Sequence, residues 1–504
     1  MTNGRAAAAA IVLAATVAPV VHGTQAGPPA GRVLRVTRAA DDATMGTLRW
    51  AIETSNATPD RETITLDPLV ITLTSPLPVI KGPVLIEGGA WRRTGEFAII
   101  DGAGYIAPGG PESCPGATSG QSGANVRTMT SPGLQLIDTA DVEISGIEVR
   151  RFCIGILINR SMRVVIHDSR IAANRGGAGI MLTGDDGQGN PTSTTTNNNK
   201  VLRNEFVDNG DGLELTRGAA FNLVADNVFR STDANPEPSQ GIEILRGNDN
   251  VVSGNRFEGY SDGLQINWGD RNYIAANTFT GNTFGVNLTG VGNIVDGNTI
   301  TGNRVGIAVR PAEPMPLVRL TRNRISGNGR DIRHCEAGGS CDPAAPKGAM
   351  AFGVPGLEHE SFVGSRGRGV SVNPATIQYI CPQHAAQCQP SPNRGVRAPL
   401  LASLRESGNE IAINGSLSAE PSRRYVVELF GNSDAQSAES EQFLVDQPIA
   451  TDAAGAASFT IRIERSSADR LRSFTATVTS DDGATSPLSA ALPRKETRLV
   501  SGDR

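Results

Sequence analysis

Short stretches of alternating apolar and polar residues recur along the chain between about residues 140 and 330. A period of two predicts β-strands and not helices, because successive side chains of a strand point to opposite faces. Each repeat carries an anchor, an Asn or Ser two residues before an apolar residue, and the anchors lie roughly 21 to 35 residues apart. The anchors are Ser145, Ser169, Asn204, Asn227, Asn255, Asn277, Asn298 and Asn323. A recurring unit of this length, interrupted by insertions, predicts a solenoid.

Two apolar columns accompany the anchors and define the predicted interior. The residues two positions after the anchors are all Ile or Phe, and those three positions before them are all Val, Ile or Leu. The repeats also carry a strand of the form Gly-apolar-x-apolar. Three strands per repeat would close one coil of a right-handed parallel β-helix, with coils stacked about 4.8 Å apart. Phe206, Phe229, Phe257 and Phe279 are then expected to form a single file inside. Stacked Asn side chains would bond one another and the backbone, so we expect the asparagines to be structural.

The regions around the repeats predict further units, as a chain of 504 residues requires. Residues 47–57 predict a short amphipathic helix that covers the open first coil. Residues 331–396 are irregular, rich in Gly, Pro and Ala, and carry four of the six cysteines. Alternating stretches within residues 397–492 predict a small antiparallel β-sandwich. The predicted fold is therefore all-β, with a capped β-helix over residues 30–330, a connecting segment and a β-sandwich.

The N-terminus indicates export. Arg5 is followed by an apolar stretch over residues 6–21 and then by small residues, which is typical of a secretory signal peptide over residues 1–25. A buried or membrane helix is the alternative, but the stretch is short for a span and is followed by Gly-Pro-Pro. We therefore expect a secreted, periplasmic or cell-surface protein without a membrane span. The net charge is only −5 and no long basic run occurs, so nucleic-acid binding is not expected.

Six cysteines agree with an oxidising compartment. Local disulfides across two short loops are the expected pairing, and the two remaining cysteines would then pair with each other. The expected pairs are Cys335 with Cys341, Cys381 with Cys388, and Cys114 with Cys153. A metal site is the alternative, although no Cys-x-x-Cys spacing occurs.

The outward position x of the Gly-apolar-x-apolar strands is where binding or catalytic side chains would stand. Along successive coils this column reads Leu157, Met181, Glu214, Glu243, Gln265, Asn287 and Ala308. Glu214 and Glu243 are therefore expected side by side, about 5 Å apart by the coil spacing. A second predicted column, three residues further along, is Arg217, Arg246 and Trp268. The turns before the same strands hold Asp211, Gln240 and Asp262.

This patch of polar residues allows several kinds of chemistry. Insertions at residues 184–199 and 231–240 flank the same coils and would wall a groove. Two adjacent carboxylates can share a proton, and a separation of roughly 5 Å suits a retaining glycosidase. A calcium ion held by Asp211 and Asp262 is another use, and no other metal or cofactor is expected. The alternative is a solvated sheet face on which Glu and Arg form surface ion pairs.

Residues from about 140 to 330 resemble the right-handed parallel β-helix repeat family with a pectin-lyase-like fold. That family includes NosD-like periplasmic proteins and many polysaccharide lyases and epimerases. The stretch Gly46 to Leu66 resembles the N-terminal region of exported bacterial β-helix proteins with a CSLREA motif, although residues 46–51 keep only Leu, Arg and Ala of it. Residues 397–492 resemble the Ig-like module that often follows such β-helices, and that module would cap the helix, dock it or bind a partner.

The resemblance and the polar patch together give three functional hypotheses. The first is recognition of an extracellular or envelope polysaccharide in a groove on the solenoid. The binding residues expected there are Asp211, Arg217, Arg246, Asp262, Gln265 and Trp268. The second is a polysaccharide lyase or glycoside hydrolase in which Glu214 and Glu243 are catalytic. The third is a non-catalytic adhesin or surface scaffold. The sequence contains none of the signature motifs of mannuronan epimerases, polygalacturonases or pectate lyases, and it does not indicate the oligomeric state.

Overall fold

A computed structural model describes most of the chain. The described residues are 31–105, 132–174, 176–184, 195–235, 238–310, 312–329 and 392–494. The predicted signal peptide lies outside them, as do all cysteines except Cys153, so export and disulfide pairing stay predictions. Within these ranges no helix has the length and apolar character needed to cross a membrane.

Three parallel sheets wrap around one apolar core and form a right-handed parallel β-helix, which confirms the predicted fold class. Over the described ranges, sheet A has eleven strands, sheet B ten and sheet C eight. Sheet A consists of β1 (Val33–Val36), β2 (Glu62–Leu66), β4 (Val84–Gly88), β7 (Val142–Ser145), β10 (Val165–His167), β14 (Lys200–Leu202), β18 (Leu223–Ala225), β21 (Val251–Ser253), β24 (Tyr273–Ala275), β27 (Val291–Asp296) and β30 (Leu317–Thr321).

Sheets B and C complete each coil. Sheet B consists of β3 (Val70–Thr72), β5 (Ala98–Asp101), β8 (Ile147–Arg150), β11 (Arg170–Ala172), β15 (Glu205–Val207), β19 (Val228–Arg230), β22 (Arg256–Glu258), β25 (Thr278–Thr280), β28 (Thr299–Thr301) and β31 (Arg324–Ser326). Sheet C consists of β6 (Leu134–Ile137), β9 (Ile156–Asn159), β12 (Ala178–Thr183), β16 (Asp211–Thr216), β20 (Gln240–Leu245), β23 (Asp262–Asn267), β26 (Phe284–Leu288) and β29 (Val305–Val309). A short additional pair is formed by β13 (Thr196–Asn197) and β17 (Ala219–Ala220).

Four phenylalanine rings stack inside sheet B. The ring centroids of Phe206 and Phe229 are 4.3 Å apart, those of Phe229 and Phe257 are 4.8 Å apart, and those of Phe257 and Phe279 are 4.7 Å apart. All four side chains are fully buried. Parallel pairing places like residues of successive coils on top of each other, so one Phe per coil forms a continuous aromatic column.

Asparagine ladders satisfy the polar backbone at the corners of the coils. The ladder that contains the predicted anchors runs through Asn204, Asn227, Asn255, Asn277, Asn298 and Asn323. In each step, the side-chain oxygen accepts hydrogen bonds from the backbone N–H and the side-chain amide of the Asn before it. At Asn255 both of these bonds, from Asn227, are 2.9 Å long. A second ladder runs from Asn199 to Asn293 and a third from Asn282 to Asn328. The asparagines are therefore part of the scaffold.

The N-terminal end of the β-helix is covered by helix α1 (Leu48–Asn56), which packs on β1 and β2. The hydroxyl of Thr47 accepts a hydrogen bond from the backbone N–H of Trp50 and so caps the helix. Leu48, Ala51 and Ile52 form the buried side, as the amphipathic pattern predicted. A one-turn helix, α2 (Trp91–Thr94), follows between β4 and β5.

Two antiparallel sheets form the C-terminal β-sandwich. One contains β32 (Leu400–Ser407), β33 (Glu410–Ser418) and β36 (Ala456–Glu464), and the other contains β34 (Arg424–Asn432), β35 (Gln442–Ala450), β37 (Ser473–Ser480) and β38 (Leu492–Pro493). The sandwich has its own core and covers the last coil of the β-helix. Ile325 and Ser440 form an antiparallel bridge across this junction, and the hydroxyl of Thr485 accepts a hydrogen bond of 2.9 Å from the backbone N–H of Leu320. Short 3-10 helices span Gly102–Gly104, Pro392–Gly395 and Arg465–Ala468.

Candidate functional site

A glycine near the start of the sheet C strands allows neighbouring coils to approach closely at this corner. A Cβ atom added at Gly212 would lie 2.5 Å from the carbonyl oxygen of Gly241 and 2.6 Å from the ring of Phe229. Only glycine fits there, because it lets the backbone approach a neighbour this closely. The strand then continues with Leu213 in the core and Glu214 on the outer face of the sheet.

Three carboxylates meet on that outer face, and we refer to Asp211, Glu214 and Glu243 as the acidic cluster. Each offers an oxygen that lies within 4.8 Å of an oxygen of the other two. Glu214 and Glu243 are register partners on β16 and β20, and Asp211 is the first residue of β16. Asp211 is only 1 % exposed and Glu214 only 3 % exposed, while Glu243 is half-buried. The cluster is therefore not on the solvated face that was the alternative interpretation of the sequence.

A set of hydrogen bonds that we call the amide network connects the acidic cluster to the next coils. The side-chain N–H of Asn267 donates to a carboxylate oxygen of Glu243 at 3.0 Å, and that of Asn287 donates to Asp262 at 2.7 Å. The guanidinium group of Arg310 donates to the side-chain oxygens of both asparagines. Asn267, Asn287 and Arg310 thus link the carboxylates of two coils to one cation.

The second predicted column forms an edge beside the acidic cluster. Arg217 is buried, whereas Arg246 is exposed and its guanidinium carbon lies 5.7 Å from the centre of the Trp268 ring. This distance is within the range of a cation–π contact. Trp268 is 48 % exposed and presents an aromatic surface at the edge of the site. The second predicted column thus consists of one buried arginine and an exposed arginine–tryptophan pair, each directly after its sheet C strand.

The other side of the acidic cluster is apolar. Leu157 and Met181 occupy the outward position on the two preceding coils, yet they are buried together with Ile154 and Ala178. A carboxylate beside such a surface has few water molecules to stabilise its charge, so its protonation state depends strongly on its protein neighbours. Met181 is the register partner of Glu214, so the apolar surface begins directly beside the acidic cluster.

The acidic cluster is also the place where a metal ion would fit. Three carboxylates supply oxygen ligands of the kind that calcium, magnesium and manganese prefer. The predicted calcium pair, Asp211 with Asp262, is not brought together. Gln240 lies between these two residues in the register, so they are two coils and about 9 to 10 Å apart. The carboxylates that lie close to Asp211 are instead those of Glu214 and Glu243.

Three of the residues that complete this arrangement were not selected from the sequence. Asn287 stands in the outward column, but the predicted site did not include it. Asn267 and Arg310 stand two positions after the outward column, Asn267 at the end of β23 and Arg310 directly after β29. Since side chains of a strand alternate, positions x and x+2 share one face. This rule is the signal that points to Asn267 and Arg310. Gln265, which was selected, accepts a hydrogen bond of 2.6 Å from Asn267.

The fold and the outward polar face define a β-helix protein with a cluster of carboxylates on sheet C, and comparison with known proteins agrees with the β-helix class. The chain is 54 % identical over 474 residues to the 3-dehydroshikimate dehydratase of Acinetobacter baylyi, and the match covers 92 % of this chain and 96 % of that protein. The chain therefore belongs to the family of that protein. The model of the family described as periplasmic copper-binding protein (NosD) matches residues 226–340.

Two enzymes of solved structure show low similarity to this chain. The alginate lyase from Paenibacillus sp. str. FPU-7 has 10 % sequence identity and a TM-score of 0.37, over 59 % of this chain and 96 % of that chain. DFA-IIIase from Arthrobacter chlorophenolicus A6 has 14 % identity and a TM-score of 0.37, over 58 % of this chain and 82 % of that chain. These similarities are too low to support a conclusion about function.

Proposed function

We propose that this protein is a dehydratase that acts on 3-dehydroshikimate, with the acidic cluster as its active site. The observation that carries the proposal is the 54 % identity to the dehydratase of Acinetobacter baylyi along nearly the whole of both chains. The cluster of Asp211, Glu214 and Glu243 supports it, because elimination of water needs groups that accept and donate protons.

The reaction requires a base and an acid in the active site. 3-Dehydroshikimate is a six-membered ring with a carboxylate, a carbonyl group conjugated to a ring double bond, and two hydroxyl groups. A base removes the proton beside the carbonyl group, and the electron pair of that C–H bond forms an enolate. The enolate then expels the next hydroxyl group, which takes a proton from an acid and leaves as water. A shift of one more ring proton to the carbonyl oxygen gives 3,4-dihydroxybenzoate.

The two glutamates fit the two proton-transfer roles. Glu243 accepts a hydrogen bond from the amide of Asn267, and such a bond favours the charged, proton-accepting carboxylate. We therefore assign the base to Glu243. Glu214 is the neighbouring carboxylate on the adjacent coil and becomes the proton donor to the leaving hydroxyl group. The spacing of neighbouring coils, about 4.8 Å, would let acid and base reach neighbouring atoms of one small ring.

The substrate carboxylate needs a cation, and Arg217 is the residue we assign to it. Arg217 follows Glu214 by three residues on the same strand edge and is buried. A buried guanidinium group binds a carboxylate through two parallel hydrogen bonds, which fixes the ring relative to the acid and base. The aromatic surface of Trp268 would limit the site at its exposed border.

Copper is not carried over from the family description. Copper sites use imidazole, thiolate and thioether ligands, but the matched residues 226–340 contain only one His, one Cys and one Met (His334, Cys335 and Met315), and none of them belongs to the acidic cluster. A calcium, magnesium or manganese ion in the acidic cluster is the metal that the ligands fit. When bound there, such an ion would polarise the carbonyl oxygen of the substrate.

A direct assay tests the proposal. Purified protein is mixed with 3-dehydroshikimate, and 3,4-dihydroxybenzoate is followed by its ultraviolet absorbance and by chromatography. The proposal predicts formation of this product, whereas a protein that leaves 3-dehydroshikimate unchanged, before and after addition of calcium, magnesium or manganese, would contradict it. Treatment with a chelator separates the two uses of the carboxylates: retained turnover supports proton transfer alone, and turnover that is lost and restored by an added cation supports a metal.

Polysaccharide recognition remains the second hypothesis, because the half-exposed Trp268 beside Arg246 is a surface on which a sugar ring can stack. The two hypotheses differ in their products and ligands. Retention on a glycan array that is weakened by Trp268→Ala, without turnover of 3-dehydroshikimate, would favour the polysaccharide.

A further inference from the structure

The amide network contains a cation that the proposed reaction has not yet used. Arg310 follows β29 and lies three coils beyond the coil that carries Glu243, counted β20, β23, β26 and β29. Its Nε donates to the side-chain oxygen of Asn287 at 2.7 Å, and its Nη2 donates to the side-chain oxygen of Asn267. One guanidinium group therefore contacts two amides on two different coils.

The consequence of these contacts depends on the chemistry of an amide. An Asn side chain has an oxygen that only accepts and a nitrogen that only donates, and the two ends have nearly the same shape. Arg310 has donors only, so it bonds the oxygen ends of Asn267 and Asn287. Their nitrogen ends must then face the opposite way.

The nitrogen ends face the carboxylates. Asn267 donates to Glu243 at 3.0 Å and Asn287 donates to Asp262 at 2.7 Å. If either amide turned over, its oxygen would meet a carboxylate, which is a repulsive contact at these partly buried positions. The positive charge of Arg310 also reaches the carboxylates through the two polarised amides.

We propose that Arg310 is a positioning residue for the active site: it fixes the amides of Asn267 and Asn287 so that they hold Glu243 and Asp262 in place. The inference rests on the proposed function for its catalytic consequence. Arg310 is assigned a contact with the two amides and none with the substrate. It keeps Glu243 oriented as the base, and it keeps Asp262 fixed on the neighbouring coil.

The test compares Arg310→Gln with Asn267→Leu and with the double variant. Arg310→Gln removes the cation and is expected to lower kcat on 3-dehydroshikimate by about ten- to a hundredfold with little change in KM. Arg310→Lys keeps the charge and is expected to recover part of kcat. Arg256→Gln is the matched control, since Arg256 is an exposed arginine on sheet B and its loss should leave kcat unchanged.

The double variant decides whether Arg310 acts through the amide. If it does, adding Arg310→Gln to Asn267→Leu lowers kcat by much less than Arg310→Gln does alone. Independent, multiplicative losses would overturn the inference, and so would an increase in KM with unchanged kcat, which would make Arg310 a substrate-binding residue. Should Arg310→Gln not fold, Asn267→Leu alone tests the network, and an unchanged kcat would overturn it. An inactive wild-type protein overturns the proposed function instead, and this inference with it.

Discussion

At the scale of single residues, asparagine has two roles in this molecule, one in the scaffold and one in the candidate site. Asparagines at the corners bond the backbone and one another, whereas Asn267 and Asn287 lie on the outer face of sheet C and bond carboxylates. The difference follows from position in the coil and not from residue type. At a corner, the backbone groups have no strand partner, so an Asn side chain there bonds them. An Asn on the outer face has the side chains of neighbouring coils as its partners.

Glu243 and Glu214 are the residues whose removal should affect turnover most. Glu243→Gln and Glu214→Gln keep the size of the side chain but remove proton transfer, so each is expected to lower kcat on 3-dehydroshikimate by about 10²- to 10⁴-fold. Steady-state kinetics measures the loss, and circular dichroism checks that the fold is intact. Glu258→Gln changes an outward glutamate on sheet B and serves as the control. Full activity of Glu243→Gln would show that the base is elsewhere.

At the scale of elements, the repeat could be predicted because it is local and recurs. Apolar columns, period-two alternation and anchors at similar spacing define a coil, and register then brings Glu214 opposite Glu243. The direction of the Asn267 and Asn287 amides could not be predicted in this way. It depends on the guanidinium group of Arg310, one and two coils away, and a repeat pattern contains no such information. The burial of Met181 and Glu214 was also not evident, because the alternation only shows that these residues point away from the core.

The anchor ladder is an element whose contribution to stability can be measured. Asn255→Ala would remove the acceptor of two hydrogen bonds from Asn227 and leave a buried backbone N–H unpaired. We expect a loss of about 2 to 4 kcal/mol in the free energy of unfolding, because unpaired buried groups cost about 1 to 3 kcal/mol each. This loss is measured by urea denaturation with circular dichroism as the signal. Asn409→Ala, at an exposed turn of the sandwich, should change the free energy by less than about 0.5 kcal/mol. Equal effects of the two substitutions would contradict a structural role for the ladder.

At the scale of the whole molecule, the β-sandwich closes the end of the β-helix, and two of its carboxylates contact the last coil. Glu428 is buried at this junction, where it accepts hydrogen bonds from the hydroxyl of Thr321 and, at 2.9 Å, from the backbone N–H of Arg322. Glu439 accepts one from the backbone N–H of Gly327 at 2.7 Å. An exposed last coil would present unpaired strands and apolar core to water, so a cap of this kind is needed. The repeat pattern includes the last coil but not the sandwich residues that contact it, and these carboxylate contacts join residues 106 to 112 positions apart, so sequence patterns could not indicate them.

The stability of the junction should decrease as the pH rises, because the carboxyl groups of Glu428 and Glu439 have raised pKa values. Burial raises the pKa of Glu428, to which the charge of Asp446 adds, and burial likewise raises the pKa of Glu439. A carboxyl group with a raised pKa in the folded state contributes stability that is fully present below its ordinary pKa of 4.5 and is lost as the pH rises through the raised pKa.

Glu428→Gln is neutral at every pH and keeps an oxygen to accept from Arg322, so thermal unfolding of the full chain from about pH 5 to about pH 8 should show a weaker pH dependence than in the wild type. Glu53→Gln, on the exposed side of α1, is the control that should leave the dependence unchanged. If Glu428→Gln and the wild type lose stability in parallel as the pH rises, then the hydrogen bonds from Thr321 and Arg322 already compensate for the buried charge.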